Sequence, residues 1–197
     1  MLKIGLTGGM GSGKTTVSKI FSVLGIPVFY ADDVAKVIMN EDAGLKQNII
    51  NLFGEEAYIN NTLNRKYIAG IVFNNRFKLE QLNALVHPVT IAAADKWMNA
   101  QTTPYILKEA ALMFEAGASA HLDYVIGIYA PQHLRLQRVM QRDNTNREAV
   151  LARMNNQIDE TIKMKLCDFV IVNDEQIAVL PQVLALHRQF IKMANEA

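Results

Sequence analysis

The strongest chemical signal in the 197-residue chain is Gly8-Gly9-Met10-Gly11-Ser12-Gly13-Lys14-Thr15. It fits the pattern G-x-x-x-x-G-K-S/T with nothing missing. Each residue type has a physical reason to be there. Glycines let the backbone curl so that successive N–H groups face a polyphosphate, where side chains would block the approach. A helix opening at Lys14 turns its dipole and free amides on the same anion. Lys14 adds a mobile cation for the β and γ phosphates. The Thr15 hydroxyl suits Mg²⁺, an ion that prefers hard oxygen ligands. Thr16 is placed to reach an α-phosphate oxygen. The pattern implies a bound nucleoside triphosphate and leaves the acceptor open.

Other residues narrow the chemistry. A guanine-reading N-K-x-D segment and a transporter-type L-S-G-G-Q stretch are both absent. A small-molecule kinase needs a carboxylate near the acceptor hydroxyl, an acceptor-binding subdomain and arginines that close over the phosphates. Asp32 and Asp33 follow the second expected strand, at the carboxyl edge where open α/β sheets bind ligands. There a carboxylate can take the proton of an attacking alcohol. Asp32 is the expected base; Asp33 is expected to cap a helix starting near Val34 or to face solvent. Arg135, Arg138, Arg142, Arg147 and Arg153 crowd one region, and residues 109–162 contain no lysine. Arg135, Arg138 and Arg142 share one helical face. Arginine favours bidentate phosphate contact, and Arg138 and Arg142 are the expected donors. The alternative is a solvated face paired with Asp143 and Glu148. Glu109 either supports a Mg²⁺ shell through water or pairs with a surface cation. His87, before Pro88, reads as an extended residue ahead of a helix rather than a base. Phe53, Phe73 and Trp97 read as core.

These residues need a frame. Leu2–Thr7, Ile26–Tyr30, Tyr105–Leu107 and onward, Tyr124–Tyr129 and Phe169–Val172 read as short buried strands. Apolar residues recur at helical spacing over Lys14–Leu24, with Gly25 and Pro27 as stop signals. The region between the second and third strands predicts helices over Val34–Met39, Leu45–Phe53, Arg65–Phe73, Phe77–Val86 and Val89–Met98, with breaks at Gly54 and Asn60-Asn61. Further helices are expected over Leu134–Asp143, Glu148–Lys165 and Ile177–Ala194. The expectation is an α/β protein with a parallel sheet and an inserted helical subdomain. Lys plus Arg number 20 against 19 Asp plus Glu, and half the residues are hydrophobic. A net charge of +1 argues against nucleic-acid binding through bulk charge. One cysteine, Cys167, points to a reducing compartment and a packing role. No signal peptide and no membrane-crossing apolar run is read, so the expected setting is the cytoplasm.

Taken in order, the segments resemble the dephospho-CoA kinase family. Leu6 to Lys14 is similar to the family's L-T-G-G-I-G-S-G-K. Gly25 to Asp32 resembles G-x-x-v-i-D-A-D, with Tyr30 in place of the first aspartate. Leu63-Asn64-Arg65 with Ile71-Val72-Phe73, and Leu82-Asn83-Ala84-Leu85-Val86-His87-Pro88, resemble L-x-R…V-F and L-N…H-P. Glu109-Ala110-Ala111 stands where D-I-P is common, and Leu112-Met113-Phe114-Glu115 is similar to L-L-F-E. Arg138 to Asp143 and Arg153…Gln157 look like the lid, and Asp168…Asn173 looks like the segment near the adenine.

The resemblance implies a P-loop kinase of three α/β/α layers with a parallel sheet, a helical substrate-binding insertion and a small helical lid. It divides the chain into a nucleotide-binding core (1–31, 88–130 and 166–197), a helical acceptor region (32–87) and a lid (131–165). It implies transfer of the ATP γ-phosphate to the ribose 3′-hydroxyl of dephospho-CoA, with ATP and Mg²⁺ required, no membrane and no nucleic acid. Asp32, Lys14 and Arg142 would be catalytic. Gly8, Gly11, Ser12, Gly13, Lys14, Thr15, Thr16, Arg138, Arg142 and Asn173 would hold ATP, with Thr15 on the metal. Asp32, Arg65, His87 and Glu115 would hold the acceptor. From the residues alone, a kinase for another small acceptor such as a nucleoside monophosphate, or a nucleotide-binding regulator, stays open.

Overall fold

The structure is a computed structural model that describes residues 1–72, 75–115 and 117–196. Phe73, expected in the core, lies outside the described residues. The chain divides into two compact units, Met1–Tyr30 with Ala100–Ala197, and Ala31–Asn99.

The first unit is built on a five-stranded sheet. Its strands are β1 (Leu2–Thr7), β2 (Val28–Tyr30), β5 (Tyr105–Glu109), β6 (Tyr124–Tyr129) and β7 (Phe169–Val172). They run parallel in the order β2-β5-β1-β6-β7. Parallel strands covered on both faces need continuous apolar runs, and Ile4, Leu6, Tyr105, Leu107, Ile126, Ile128 and Ile171 supply them, all fully buried. Helix α1 (Lys14–Val23) inserts Val17 and Phe21 into that core, and α9 (Val179–Glu196) inserts Val183 and Phe190. Register sets the ligand edge. Leu6 and Tyr30 both pair with Glu109, and Thr7 pairs with Gly127, so the carboxyl ends of four strands lie side by side.

Between β6 and β7 come α6 (Gln132–Asp143), α7 (Arg147–Met154) and α8 (Glu160–Lys165). The single helix expected over Glu148–Lys165 is therefore two. Asp159 stops it by accepting the Thr161 and Ile162 amides at 2.9 and 3.3 Å, so α8 starts afresh. Asn155 and Asn156, poor helix formers, precede that cap.

The second unit holds α2 (Ala31–Glu41), α3 (Ala43–Phe53), α4 (Arg65–Val72) and α5 (Arg76–Asn99). Its core joins Leu45, Ile49, Phe53, Ala57, Leu63, Ile68 and Val86. Two expectations are corrected here. Asn60-Asn61 is not merely a break. With φ of 48° and 66° it turns a hairpin between β3 (Tyr58–Ile59) and β4 (Thr62–Leu63). Strands of two residues are too short to show a period. The second correction is α5, which runs unbroken through His87 and Pro88. A proline inside a helix costs about 3 kcal/mol, which burial of Val86, Ala94 and Met98 offsets. His87 is thus helical rather than extended. Residues 88–99, expected with the core, cluster with the helical unit.

Candidate active site

The phosphate loop joins β1 to α1, and its geometry follows from its glycines. Gly13 caps α1 with φ 99°, a left-handed conformation that side chains resist. A Cβ there would also collide with the Asn173 amide. The close fit has a purpose: Asn173 Nδ2 donates to the Ser12 carbonyl at 2.8 Å. Lys14 folds back so that Nζ donates to the Gly8 carbonyl at 2.9 Å and lies 3.4 Å from that of Gly9. The ammonium therefore sits over the loop it belongs to.

Helix α6 brings arginines to the same place. Arg138 donates to the Gly11 carbonyl at 3.4 Å and to the Asn173 carbonyl at 3.2 Å, and pairs with Glu175 at 2.9 Å. A cavity of about 310 Å³ opens here, lined by Gly11, Gly13, Lys14, Thr15, Thr16, Arg138, Val139 and Arg142. Two of its three charged side chains are arginines, the third is Lys14, and all three are cationic, as a polyanion requires. Arg142 faces the cavity but also binds Asp143 at 2.7 Å. That hydrogen bond, with the Asp143 charge, raises the Arg142 pKa, and the same bond, with help from Arg153, holds the Asp143 carboxyl low. A larger cavity of about 550 Å³ lies between α6 and α7, lined by Gln132, His133, Leu136, Met140 and Arg147 among others. It lacks the loop's array of amides, so size does not pick out the chemistry.

A Mg²⁺ ion fits this donor set. Among the described residues no cluster of three or more His, Cys, Asp or Glu stands ready to cage a metal. Mg²⁺ needs no such cage, because it keeps several waters and takes the rest of its shell from phosphates and one or two protein oxygens. Thr15 lines the cavity, and Glu109 stands buried at the end of β5. Ser12 Oγ and Thr7 Oγ1 are buried without a hydrogen-bond partner among the described residues.

A family model described as dephospho-CoA kinase matches residues 2–179. The chain belongs to the dephospho-CoA kinase family. A dephospho-CoA kinase of Bacteroides fragilis is 32% identical over 94% of this chain and 91% of its own. A solved dephospho-CoA kinase from Campylobacter jejuni is 32% identical, covers 98% of both chains and superposes with a TM-score of 0.68. A crystal structure of a Thermus thermophilus protein, 30% identical over 95% of this chain and 96% of that one, reaches a TM-score of 0.85. The parallel sheet flanked by helices is thus the P-loop kinase architecture expected for a dephospho-CoA kinase.

Within that family frame, the first unit gathers Gly8, Gly11, Ser12, Gly13, Lys14, Thr15, Thr16, Arg138, Arg142 and Asn173 around the loop and its cavity. Glu115 is in the same unit, bound to the Ile158 amide at 3.0 Å and to Lys163 at 2.9 Å. Asp32, Arg65 and His87 are in the helical unit. Asp32 is exposed in the first turn of α2, which starts at Ala31 rather than near Val34. Asp33 stands beside it in that turn and pairs with Lys36 at 2.6 Å, a solvated role. Arg65 opens α4 and is exposed. His87 is half-buried, and burial lowers its pKa, so the imidazole is neutral at neutral pH. Cys167 packs as expected: burial first, then the Asp168 charge, pushes its thiol up to about 12.

Three contacts escaped the sequence. Gln157 accepts the Met10 amide at 3.0 Å, and Glu160 accepts the Gly9 amide at 3.4 Å and pairs with Arg135 at 3.3 Å. Arg135 is therefore neutralised beside the loop while its neighbours on the helix line the cavity. The two contacts that span some 150 residues leave no local period; the nearest signal was Gln157 in the lid resemblance.

Proposed function

We propose that this chain transfers the γ-phosphate of ATP to the ribose 3′-hydroxyl of dephospho-CoA, giving CoA and ADP, the last step of coenzyme A biosynthesis. The observation that carries the reading is the cationic cavity of Lys14, Arg138 and Arg142 over the phosphate loop, in a chain of the dephospho-CoA kinase family.

The loop amides grip the β and γ phosphates and fix the reacting phosphorus in line with the acceptor. Lys14 gives up its carbonyl contacts with Gly8 and Gly9 for phosphate oxygens. Arg138 and Arg142 neutralise charge on the transferring group, in a site where water exclusion makes each contact stronger. Asp32 follows β2 by two residues, at the carboxyl end of the strand. It accepts the proton of the 3′-hydroxyl as the oxygen attacks. Arg65, His87 and Glu115 hold the acceptor, the neutral imidazole serving as a hydrogen-bonding group. Thr15, with Glu109 through water, would hold Mg²⁺, which would supply positive charge to offset that of the phosphates. Asn173 stands beside the loop on the nucleotide side. The 131–165 segment acts as the lid and keeps water, a competing nucleophile, away from the phosphorus. The resemblance also carries the cytoplasmic location.

The test is ADP release by the purified chain with ATP and Mg²⁺, alone and with dephospho-CoA or AMP. Stimulation by dephospho-CoA, with CoA as product, is expected. Stimulation by AMP alone would redirect the reading to a nucleoside monophosphate kinase, and no stimulation by either would reject an acceptor role.

A further inference from the structure

Lys163 is fully buried, and no step above uses it. Its Nζ lies 2.9 Å from Glu115 Oε1 and donates to the Ala111 carbonyl at 3.1 Å. The same Oε1 accepts the Ile158 amide at 3.0 Å. Burial works against the Glu115 charge, but backbone hydrogen bonds and Lys163 outweigh it and keep the carboxyl below its usual range.

The stretch that Lys163 anchors also touches the phosphate loop. Gln157 takes the Met10 amide and Glu160 takes the Gly9 amide, within six residues of Lys163. Gly9 is shaped for this: a Cβ there would collide with the Arg135 guanidinium and the Glu160 carboxylate. Residues 157–163 thus form a strap. Gln157 and Glu160 hold the first turn of the phosphate loop, and Ile158 and Lys163 hold the turns that follow β5.

A buried ion pair is a poor source of stability, since apolar side chains of similar volume serve as well or better. What it supplies is geometry. One carboxylate oxygen that accepts both an ammonium and a backbone amide permits a single register of strap on turn. We propose that Lys163 is a positioning residue for phosphoryl transfer: through Glu115 it locks the strap whose Gln157 and Glu160 side chains set the Gly9 and Met10 amides of the phosphate loop. The inference rests on the kinase reading above. Lys163 itself touches no substrate. Its effect on turnover follows from orientation, where a small misplacement of a phosphate-gripping group slows the reaction without removing a contact.

The experiment compares the full chain with Lys163→Met, below the variant's melting midpoint, by amide hydrogen exchange and steady-state kinetics. The Gly9 and Met10 amides are expected to exchange about tenfold faster while those of β1 and β5 change by less than about threefold, and kcat is expected to fall about tenfold at nearly constant KM for ATP. Unchanged exchange at positions 9 and 10, acceleration spread evenly over the sheet, or an unchanged kcat overturns the proposal. Should Lys163→Met not fold, Lys163→Leu is read by the same criteria; Lys163→Gln, which keeps a donor for Glu115, is expected to hold exchange at positions 9 and 10 and kcat within about threefold of the parent, and a loss of about tenfold there overturns the lock. The exchange arm needs no turnover. A parent chain silent with dephospho-CoA therefore sinks the kinase reading, while the strap is still judged by the amides.

Discussion

Asn173 is bonded to the phosphate loop across 161 residues of chain, its Nδ2 donating to the Ser12 carbonyl at 2.8 Å. Its own amide donates to the Tyr129 carbonyl at 2.8 Å and its carbonyl accepts from Arg138 at 3.2 Å. One residue just past the end of β7 thus ties the sheet edge and α6 through its backbone and the loop through its side chain. A hydrogen bond of this kind contributes about 1 kcal/mol, more when its loss leaves a partner buried. Asn173→Ala is expected to raise KM for ATP about tenfold with a smaller effect on kcat, as read by steady-state kinetics.

Gly13 faces the same amide with a left-handed backbone. Gly13→Ala meets both the conformational cost, about 1–2 kcal/mol, and a collision with Asn173. A lower melting midpoint and loss of measurable ATP binding by calorimetry are expected. Wild-type affinity in this variant would show that the cap tolerates a side chain.

Lys14 brings a cation to the loop's centre, and no other residue type replaces a mobile ammonium there. Lys14→Met is expected to lower kcat by roughly a hundredfold or more, the scale of removing one preorganised charge-stabilising group. Single-turnover measurements at saturating ATP separate this from weakened binding.

Asp32→Asn keeps size and removes the base. A general base contributes about a hundredfold to ten-thousandfold. The expected result is a fall of that order in kcat with little change in ATP affinity. Equal turnover would remove Asp32 from the mechanism.

Glu115 has a depressed pKa in the folded chain, so its charge stabilises the fold above the unfolded carboxylate value of about 4.3 and loses that effect as pH drops through the lower folded value. The melting midpoint is expected to decline from about pH 5 toward pH 3, and Glu115→Gln to flatten that decline. Parallel acid profiles for the two proteins would contradict the linkage.

The five strands of the parallel sheet, the phosphate loop and α1 were legible because each signal is local: apolar runs bounded by glycine and proline, and eight adjacent residues with one chemistry. Asp33 was readable as a solvated residue for the same reason, its partner Lys36 being one turn away. Other features had signals that pointed elsewhere. Pro88 reads as a boundary, because its penalty is intrinsic while the burial that offsets it belongs to the tertiary core. The polar run around Asn155 reads as the middle of a long helix until Asp159 is seen to cap a new one. Arg138 and Arg142 were the expected donors, but the pairing of Arg135, on the same helical face, was not legible, since a shared face says nothing about a carboxylate arriving from residue 160. Lys163, with its carboxylate partner 48 positions away, left no periodic trace at all.

The strand order also governs how the protein is made. On the ribosome, β1 is made well before both of its neighbours in the sheet, which are translated only after residue 104. Until then its apolar edge has no partner, and such unpaired strands are prone to aggregate. The helical unit of Ala31–Asn99, by contrast, is continuous in sequence and complete before β5 is synthesised. A chain still being made therefore carries β1 without sheet partners over a window that closes once both β5 and β6 have been added.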